Sequence, residues 1–226
     1  MKNMMKRLMA FAAAGAMAFC MTACDNNSSS SNTNNSGSGE VSTVKGEDME
    51  YGATITQLKA DSGKVKVSIE YDYRFLEEEE IVLVSDYIEA LNTADAELME
   101  ATVYPDYLQY SVKQGGYNDT ASYLEIMHRN IQTTFAEGGP FDFNYIVVDE
   151  CYTPDNELVK DRFETLDASL KNAAGEDLSS KITSKKLIGI DIMFSMNGEG
   201  SYSLAYRQGF NSYLYIYEID GELYIL

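Results

Sequence analysis

Cys151 and His128 are the two side chains of this sequence whose chemistry best suits nucleophilic catalysis. A thiolate attacks acyl groups and an imidazole exchanges protons near neutral pH, so a cysteine activated by a histidine is a known catalytic arrangement. His128 is the only histidine of the chain. No third residue that would orient it can be named. The simpler interpretation is therefore a buried, unreactive thiol and a histidine that satisfies a local hydrogen bond.

Other catalytic signatures are missing from the sequence or stand in the wrong context. The chain has no Gly-x-Ser-x-Gly, His-Glu-x-x-His, phosphate-loop or Cys-x-x-Cys motif. Ser42-Thr43-Val44-Lys45 matches Ser-x-x-Lys, but it lies in a polar tract without partner motifs, and we attribute the match to chance. The single His128 cannot supply a histidine cluster, and Cys151 is the only cysteine after residue 24, too few for a thiolate zinc site in the folded part, so neither a metal nor a cofactor is predicted.

Tyrosine is the remaining candidate for binding chemistry, with 17 tyrosines and no tryptophan in the chain. Tyr213, Tyr215 and Tyr217 alternate with apolar residues, which places all three on one face of a predicted strand. Tyr202 and Tyr206 are predicted to join that face from a neighbouring strand. Such a row can line a pocket or form a platform for a sugar or a partner protein. Ordinary packing of tyrosine on a sheet is the alternative.

Residues 1–23 have the three zones of a secretory signal peptide. Lys2, Lys6 and Arg7 precede an apolar run rich in Ala and Met, and small residues follow that run. The run is too short, and wrongly flanked, for a membrane-spanning helix of about 20 residues. The sequence therefore predicts export of the chain.

Met21-Thr22-Ala23-Cys24 resembles a lipobox, the short motif that precedes a lipid-modified cysteine. We predict that Cys24 carries two acyl chains, which suffice for stable membrane anchoring. Cys20 is a poorer acceptor because bulky Phe19 precedes it. An ordinary signal-peptidase cut after Ala18 is the alternative, and it would release the protein.

Residues 24–48 form a predicted tether between this cysteine and the folded domain. The stretch 25–40 is almost all Asn, Ser, Gly and Asp and has no apolar residue, so it cannot offset the entropy cost of ordering. Such a tether has a mean reach of roughly 25–30 Å. We expect a lipid-anchored protein at the extracytoplasmic face of the cell membrane, with its domain held close to the membrane surface.

The charge of the chain narrows the choice of partners. The formal net charge is −19, and removing residues 1–23 takes it to −22 because three basic and no acidic residues leave. So acidic a surface repels phosphate backbones, which argues against nucleic acid. No Asp-x-Asp-x-Asp-Gly calcium loop is present. An unknown small ligand or an envelope protein is the expected partner, besides the membrane reached through the lipid.

Residues 49–226 are predicted to form a single α+β domain. Alternation from Val65 to Tyr73 predicts a strand, and the acidic run from Glu77 to Glu80 is interpreted as the first turn of a helix rather than a cation site. Asp119 is a predicted helix cap, and Pro105 and Thr153-Pro154 predict two further helix starts. After the acidic run, Ile81, Val84, Ile88 and Leu91 recur at helical spacing, and Gly175 predicts a helix end. The predicted segments are a β-hairpin at 51–74, helices within 77–136, a strand at 141–149, a helix at 155–172 and an antiparallel meander at 185–226.

Two finer expectations concern strand faces. Ser201 to Arg207 is predicted to be a strand of the meander. The strand at 141–149 is predicted to place Phe141, Phe143, Tyr145 and Val147 on one face, with Ile146 and Val148 on the other.

The order of these segments resembles the nuclear transport factor two-like (cystatin-like) cone. The resemblance is strongest at 86–95, Asp-Tyr-Ile-Glu-Ala-Leu-Asn-Thr-Ala-Asp, and at the closing hairpin, Tyr217 to Leu226. More specifically, the chain resembles uncharacterised lipoproteins of Gram-positive bacteria. The resemblance implies helices packed in a curved antiparallel sheet with a pocket between them. The hairpin at 51–74 and the helix at 155–172 depart from the simplest form of that pattern.

The resemblance implies no activity, since that superfamily includes enzymes and many non-enzymes. The first hypothesis is a non-catalytic module that binds a ligand or a protein. A pocket enzyme of the isomerase or hydrolase type is an alternative, and a carboxylate paired with a tyrosine in a deep apolar pocket would favour it. An accessory subunit of an envelope complex is the third hypothesis.

Overall fold

The computed structural model of the chain describes residues 50–226. They form six helices and a seven-stranded sheet, which confirms the α+β fold class. The predicted signal peptide at 1–23, the lipid-bearing Cys24 and the tether at 24–48 lie outside the described residues. Within the described residues, none of the helices is long and apolar enough to cross a membrane.

The helices are α1 (Glu78–Thr93), α2 (Ala96–Thr102), α3 (Pro105–Gln114), α4 (Thr120–Phe135), α5 (Lys160–Ala174) and α6 (Leu204–Gln208). The strands are β1 (Ile55–Leu58), β2 (Ser68–Asp72), β3 (Phe141–Tyr152), β4 (Ile182–Met196), β5 (Glu199–Ser203), β6 (Ser212–Ile219) and β7 (Glu222–Ile225). The strand order is β1-β2-β3-β4-β6-β7, and β5 pairs with β4.

Local chemistry fixes the predicted starts of α1 and α4 and the predicted end of α5. A capping box joins Glu77 and Glu80 at the start of α1, so the acidic run does form the first turn of a helix. Asp119 accepts a hydrogen bond from the Ser122 backbone N–H and caps α4. Gly175 ends α5 in the left-handed conformation that favours glycine.

The sheet is mixed rather than wholly antiparallel, which corrects the prediction. β1 pairs antiparallel with β2, but β2 pairs parallel with β3. Four helices, α1 to α4, lie between β2 and β3 in the chain and provide the long crossover that a parallel pair needs. The remaining named pairs are antiparallel.

The predicted face assignment of β3 is also wrong. A register shift between Phe143 and Tyr145 breaks the alternation of the strand. Phe143, Ile146 and Val148 are all buried as a result, at 3%, 0% and 1% exposure. The bulge therefore turns toward the core a residue that strict alternation would have placed on the other face.

Helix α5 begins at Lys160, five residues after the predicted start. Thr153 and Pro154 instead begin a turn, and Asn156 accepts several of its hydrogen bonds. The Asn156 backbone carbonyl accepts hydrogen bonds from the N–H groups of Val159 and Lys160, at 3.1 Å each, and its side chain accepts one from Leu158 at 2.9 Å. The bond from Lys160 spans four residues, as in an α-helix, so this turn leads directly into α5.

The sheet has two differently covered faces. Residues opposite each other on paired strands point to the same side. We call the side that carries Ile146, Ile190 and Ile192 the inner face, where each is at most 1% exposed. Helix α1 packs there, and its Ser85 hydroxyl accepts a hydrogen bond of 2.8 Å from the Val67 N–H.

The opposite side, which we call the outer face, carries Tyr213, Tyr215 and Tyr217. Helix α5 covers it, with the ring centroid of Phe163 5.7 Å from that of Tyr215. The core therefore continues on both sides of the sheet.

Candidate functional site

The structure does not bring Cys151 and His128 together. The His128 ring lies 4.6 Å from that of Phe141, the first residue of β3, and its Nδ1 is 3.2 Å from the Leu91 carbonyl oxygen. Cys151 stands ten residues farther along the same strand, a distance of about 30 Å. Burial also raises the pKa of the Cys151 thiol to about 11, which leaves little thiolate at neutral pH. The hypothesis of a cysteine–histidine pair is wrong.

Three predicted tyrosines share one face of β6, but that face is mostly covered. Tyr217 is 0% exposed and its hydroxyl donates to Asp167 at 2.9 Å. Tyr215 packs on α5. Tyr213 donates to Glu150 at 3.0 Å and lies under the Arg162 guanidinium. Much of this row is therefore part of the interior.

Tyr202 and Tyr206 do not join that row. Tyr202 lies opposite Phe194 and therefore on the inner face, with the Arg207 guanidinium 4.8 Å from its ring centroid. Tyr206 lies on α6 rather than on a strand and is 89% exposed. The predicted strand from 201 to 207 ends at Ser203.

Two acceptors explain why the chain becomes helical there. The Asp191 carboxylate accepts hydrogen bonds from the Ser203 hydroxyl at 2.6 Å and from the Ala205 N–H at 2.9 Å. The Ser203 hydroxyl oxygen in turn accepts from the Tyr206 N–H at 2.9 Å, which caps α6. Because Asp191 reaches this corner from β4, the cap depends on tertiary structure.

Asp167 and Tyr217 form a carboxylate–tyrosine pair, the feature expected of a pocket enzyme. Lys185 Nζ lies 2.5 Å from the Asp167 carboxylate, whose side chain is 38% exposed. The pair joins α5 to the sheet and does not line the groove described next. We interpret it as structural.

The best candidate site is a groove of about 650 Å³ between α1, the end of α2 and the β6–β7 hairpin. We call it the acidic groove. Its lining residues are Glu77, Glu79, Glu80, Val82, Leu83, Asp86, Ala101, Thr102, Ser184, Lys186, Glu218, Gly221, Glu222 and Leu223.

Carboxylates dominate the lining of the acidic groove. Six of the lining residues are Asp or Glu and one, Lys186, is basic. Lys186 is already engaged, since its Nζ donates to Glu80 Oε2 at 2.7 Å and to the Phe75 carbonyl at 2.9 Å. Asp86 is half-buried, and this burial raises the pKa of its carboxyl group although Lys66 nearby acts in the opposite direction. Six negative carboxylates and one positive lysine give the lining a formal charge of −5, which favours cations.

Apolar side chains lie between these carboxylates. Val82 and Leu83 of α1 and Leu223 of β7 are half-buried in the groove. A ligand with both cationic and apolar groups would match such a surface.

Part of this site is visible in the sequence, although no catalytic motif points to it. Glu79, Val82, Leu83 and Asp86 recur at helical spacing, so they share one face of α1. That face is distinct from the buried stripe of Ile81, Val84, Ile88 and Leu91. Glu218 and Glu222 join it only through the tertiary structure.

Within residues 50–226, no group of three His, Cys, Asp or Glu side chains is placed to hold a metal ion. Comparison of the chain with protein-family models, curated proteins and solved structures gave no significant match.

Proposed function

We propose that this protein is a lipid-anchored, extracytoplasmic lipoprotein of the cell envelope that binds a positively charged ligand in its acidic groove. The observation that carries the proposal is the groove itself, where six carboxylates and one engaged lysine surround apolar side chains. Since the net charge is −19, the rest of the molecule reinforces attraction of a cation.

The ligand class follows from the groove chemistry. Its length along α1, from Glu79 to Asp86, covers two helical turns or about 10 Å. Cationic groups would meet the carboxylates while apolar groups contact Val82, Leu83 and Leu223. A Lys- or Arg-bearing segment of an envelope protein or peptide has this composition. Binding is proposed for this groove because its one basic side chain, Lys186, is already held by Glu80 and the Phe75 carbonyl, which leaves the other carboxylates to meet a cation.

The fold is proposed to be a variant of the nuclear transport factor two-like cone with an added N-terminal hairpin. Register shifts in β3 and β4 support strand bending, and α1 contacts β3 and β7 on the inner side. Helix α5 on the outer face would be a further addition. An experimental structure with a flat sheet would contradict this proposal.

The groove is tested with a fluorescent peptide of about ten residues that alternates Lys and Leu. We expect replacement of Glu79, Asp86 and Glu218 by Asn or Gln to weaken binding by at least about tenfold, since charge-assisted contacts contribute roughly 1.5–3 kcal/mol each. In the matched control, Glu125, Glu157 and Glu164 are replaced by Gln. These residues are exposed and do not line the acidic groove, and their replacement removes the same total charge. Fluorescence anisotropy gives both affinities.

The control determines the interpretation. If both triple variants bind the peptide equally weakly, attraction is due to net charge alone and the groove is not the site. If neither loses affinity, a cationic ligand is the wrong class.

The anchor needs its own experiment, namely the intact mass and membrane partition of the protein from its native host. A diacyl mass on a chain that starts at Cys24, with release of the Cys24→Ser variant into the medium, is the expected result. An unmodified N-terminus at Phe19 would contradict the lipid anchor and indicate a freely secreted protein.

A further inference from the structure

A buried ion pair lies where the described chain begins. Asp72, the last residue of β2, is 0% exposed. Its carboxylate accepts hydrogen bonds from the Gly52 N–H at 2.9 Å, the Thr54 hydroxyl at 2.5 Å and the Arg74 guanidinium at 2.6 Å and 3.0 Å. Arg74 also donates to the Glu50 carbonyl at 2.5 Å. We call Glu50, Gly52, Thr54, Asp72 and Arg74 the N-terminal clasp.

The hydrogen bonds between Asp72 and Arg74 join two charged groups that are shielded from water. The Arg74 side chain is 12% exposed and the Asp72 side chain 0%, so water competes poorly with the pair. Hydrogen bonds to Arg74 hold the pKa of Asp72 well below its usual range. Buried ion pairs are often no better for overall stability than apolar residues of the same size. The location of the pair is therefore more informative than its contribution to folding.

The location matters because β1 is weakly held. It has four residues, lies at the edge of the sheet and buries none of them fully, and Ile55 is 47% exposed. Its antiparallel register places Ile55 opposite Asp72 and Leu58 opposite Ile69. A pull on the chain before Glu50 would therefore act on the Ile55 end of β1. A pull directed across the β1–β2 bonds would reach the Ile55–Asp72 pair first, which is where the clasp lies.

We propose that the N-terminal clasp is a mechanical fastening that transfers tension on the N-terminal segment to β2, bypassing the weak strand β1. The inference rests on the proposed function, since a chain anchored at Cys24 whose groove holds an envelope partner would be under tension. β2 can take this load because β3 pairs with its other edge.

Loss of the fastening would also expose a sheet edge. If β1 detached, the outer edge of β2 would present unpaired backbone groups next to the buried residues Ile69 and Tyr71. Such an edge is a template for pairing with another chain. The clasp would therefore protect the domain from association under load.

The proposal is tested by pulling single molecules of residues 24–226 with Cys24→Ser, so that lipidation plays no part. One handle is attached to the chain on the N-terminal side of Glu50. The other is attached to the thiol introduced by Asp220→Cys, because Asp220 lies in an exposed turn. Cys151 reacts slowly at neutral pH because burial raises its thiol pKa to about 11. A second geometry uses Asn118→Cys and Asp220→Cys and leaves residues 50–54 without load.

We expect Asp72→Asn to increase the rate of the first opening event at constant force by about tenfold in the first geometry only. Thr54→Val removes one hydrogen bond of the clasp and should give a smaller increase in the opening rate. It is the test variant if Asp72→Asn does not fold. Asp142→Asn is the matched control, since Asp142 is an exposed aspartate that accepts a single hydrogen bond from Asn92.

Two results would overturn the proposal. Equal acceleration in both geometries would mean that the clasp contributes only to overall stability, and no acceleration in either would mean that it bears no load. Either result is separate from the intact-mass measurement, which alone decides whether Cys24 anchors the chain.

Discussion

Tyr217 combines complete burial with a hydroxyl group that needs a partner. Its hydroxyl donates to Asp167 at 2.9 Å, and its ring lies below α5. Burial, with the nearby Asp167 charge, raises the pKa of Tyr217 far above its usual range, so the phenol stays neutral. We expect Tyr217→Phe to lower the free energy of unfolding by about 1–1.5 kcal/mol, because one hydrogen bond is lost while the ring packing stays.

Urea unfolding followed by circular dichroism measures this change. Tyr206→Phe is the matched control, since Tyr206 is 89% exposed and its replacement should alter stability by less than about 0.5 kcal/mol. A Tyr217→Phe variant as stable as the wild type would show that the hydroxyl contributes nothing net to folding.

At the same scale, some single residues could be assigned from sequence and others could not. Asp119 was assigned correctly as a cap because a cap depends on neighbours within one turn. The surroundings of Cys151 and His128 could not be inferred. His128 contacts Phe141 at the start of β3, whereas Cys151 lies near the end of the same strand, and only the tertiary structure determines this.

Elements with a strong helical period were predicted closely. The stripe of α1 and the proline at the start of α3 determine those helices locally, and the structure places them at Glu78–Thr93 and Pro105–Gln114. The start of α5 was wrong because Asn156 offers the backbone an alternative turn. The strand at 201–207 was wrong because Asp191, distant in the chain, caps α6. Errors thus fall where long-range or competing hydrogen bonds decide.

The acidic groove was not predicted because one of its walls forms only when distant elements pack together. Its α1 side is readable from the spacing of Glu79, Val82, Leu83 and Asp86. Its other wall comes from β6 and β7, more than 100 residues later in the chain. The covering of the tyrosine row by α5 likewise depends on how elements meet, which periodicity does not report.

The whole molecule has an acidic balance and several tyrosines with raised pKa values, and these features predict how its stability depends on pH. Burial raises the pKa of Tyr145 and of Tyr213 to about 12, and a hydrogen bond to Glu222 together with burial does the same for Tyr224. An unfolded tyrosine titrates near 10. The folded state therefore binds more protons than the unfolded state between these two values.

It follows that the stability from these tyrosines is fully present below pH 10 and is lost as the pH rises through about 12. We expect the urea midpoint to be nearly constant around neutral pH and to fall steeply above pH 10. Phenolate absorbance and circular dichroism, recorded together, should show a late phenolate step that coincides with the loss of ellipticity, because the shielded hydroxyls of Tyr145, Tyr213 and Tyr224 ionise as the fold opens. If no phenolate step accompanies the loss of ellipticity, these three hydroxyls ionise in the folded protein and their surroundings do not resist alkali.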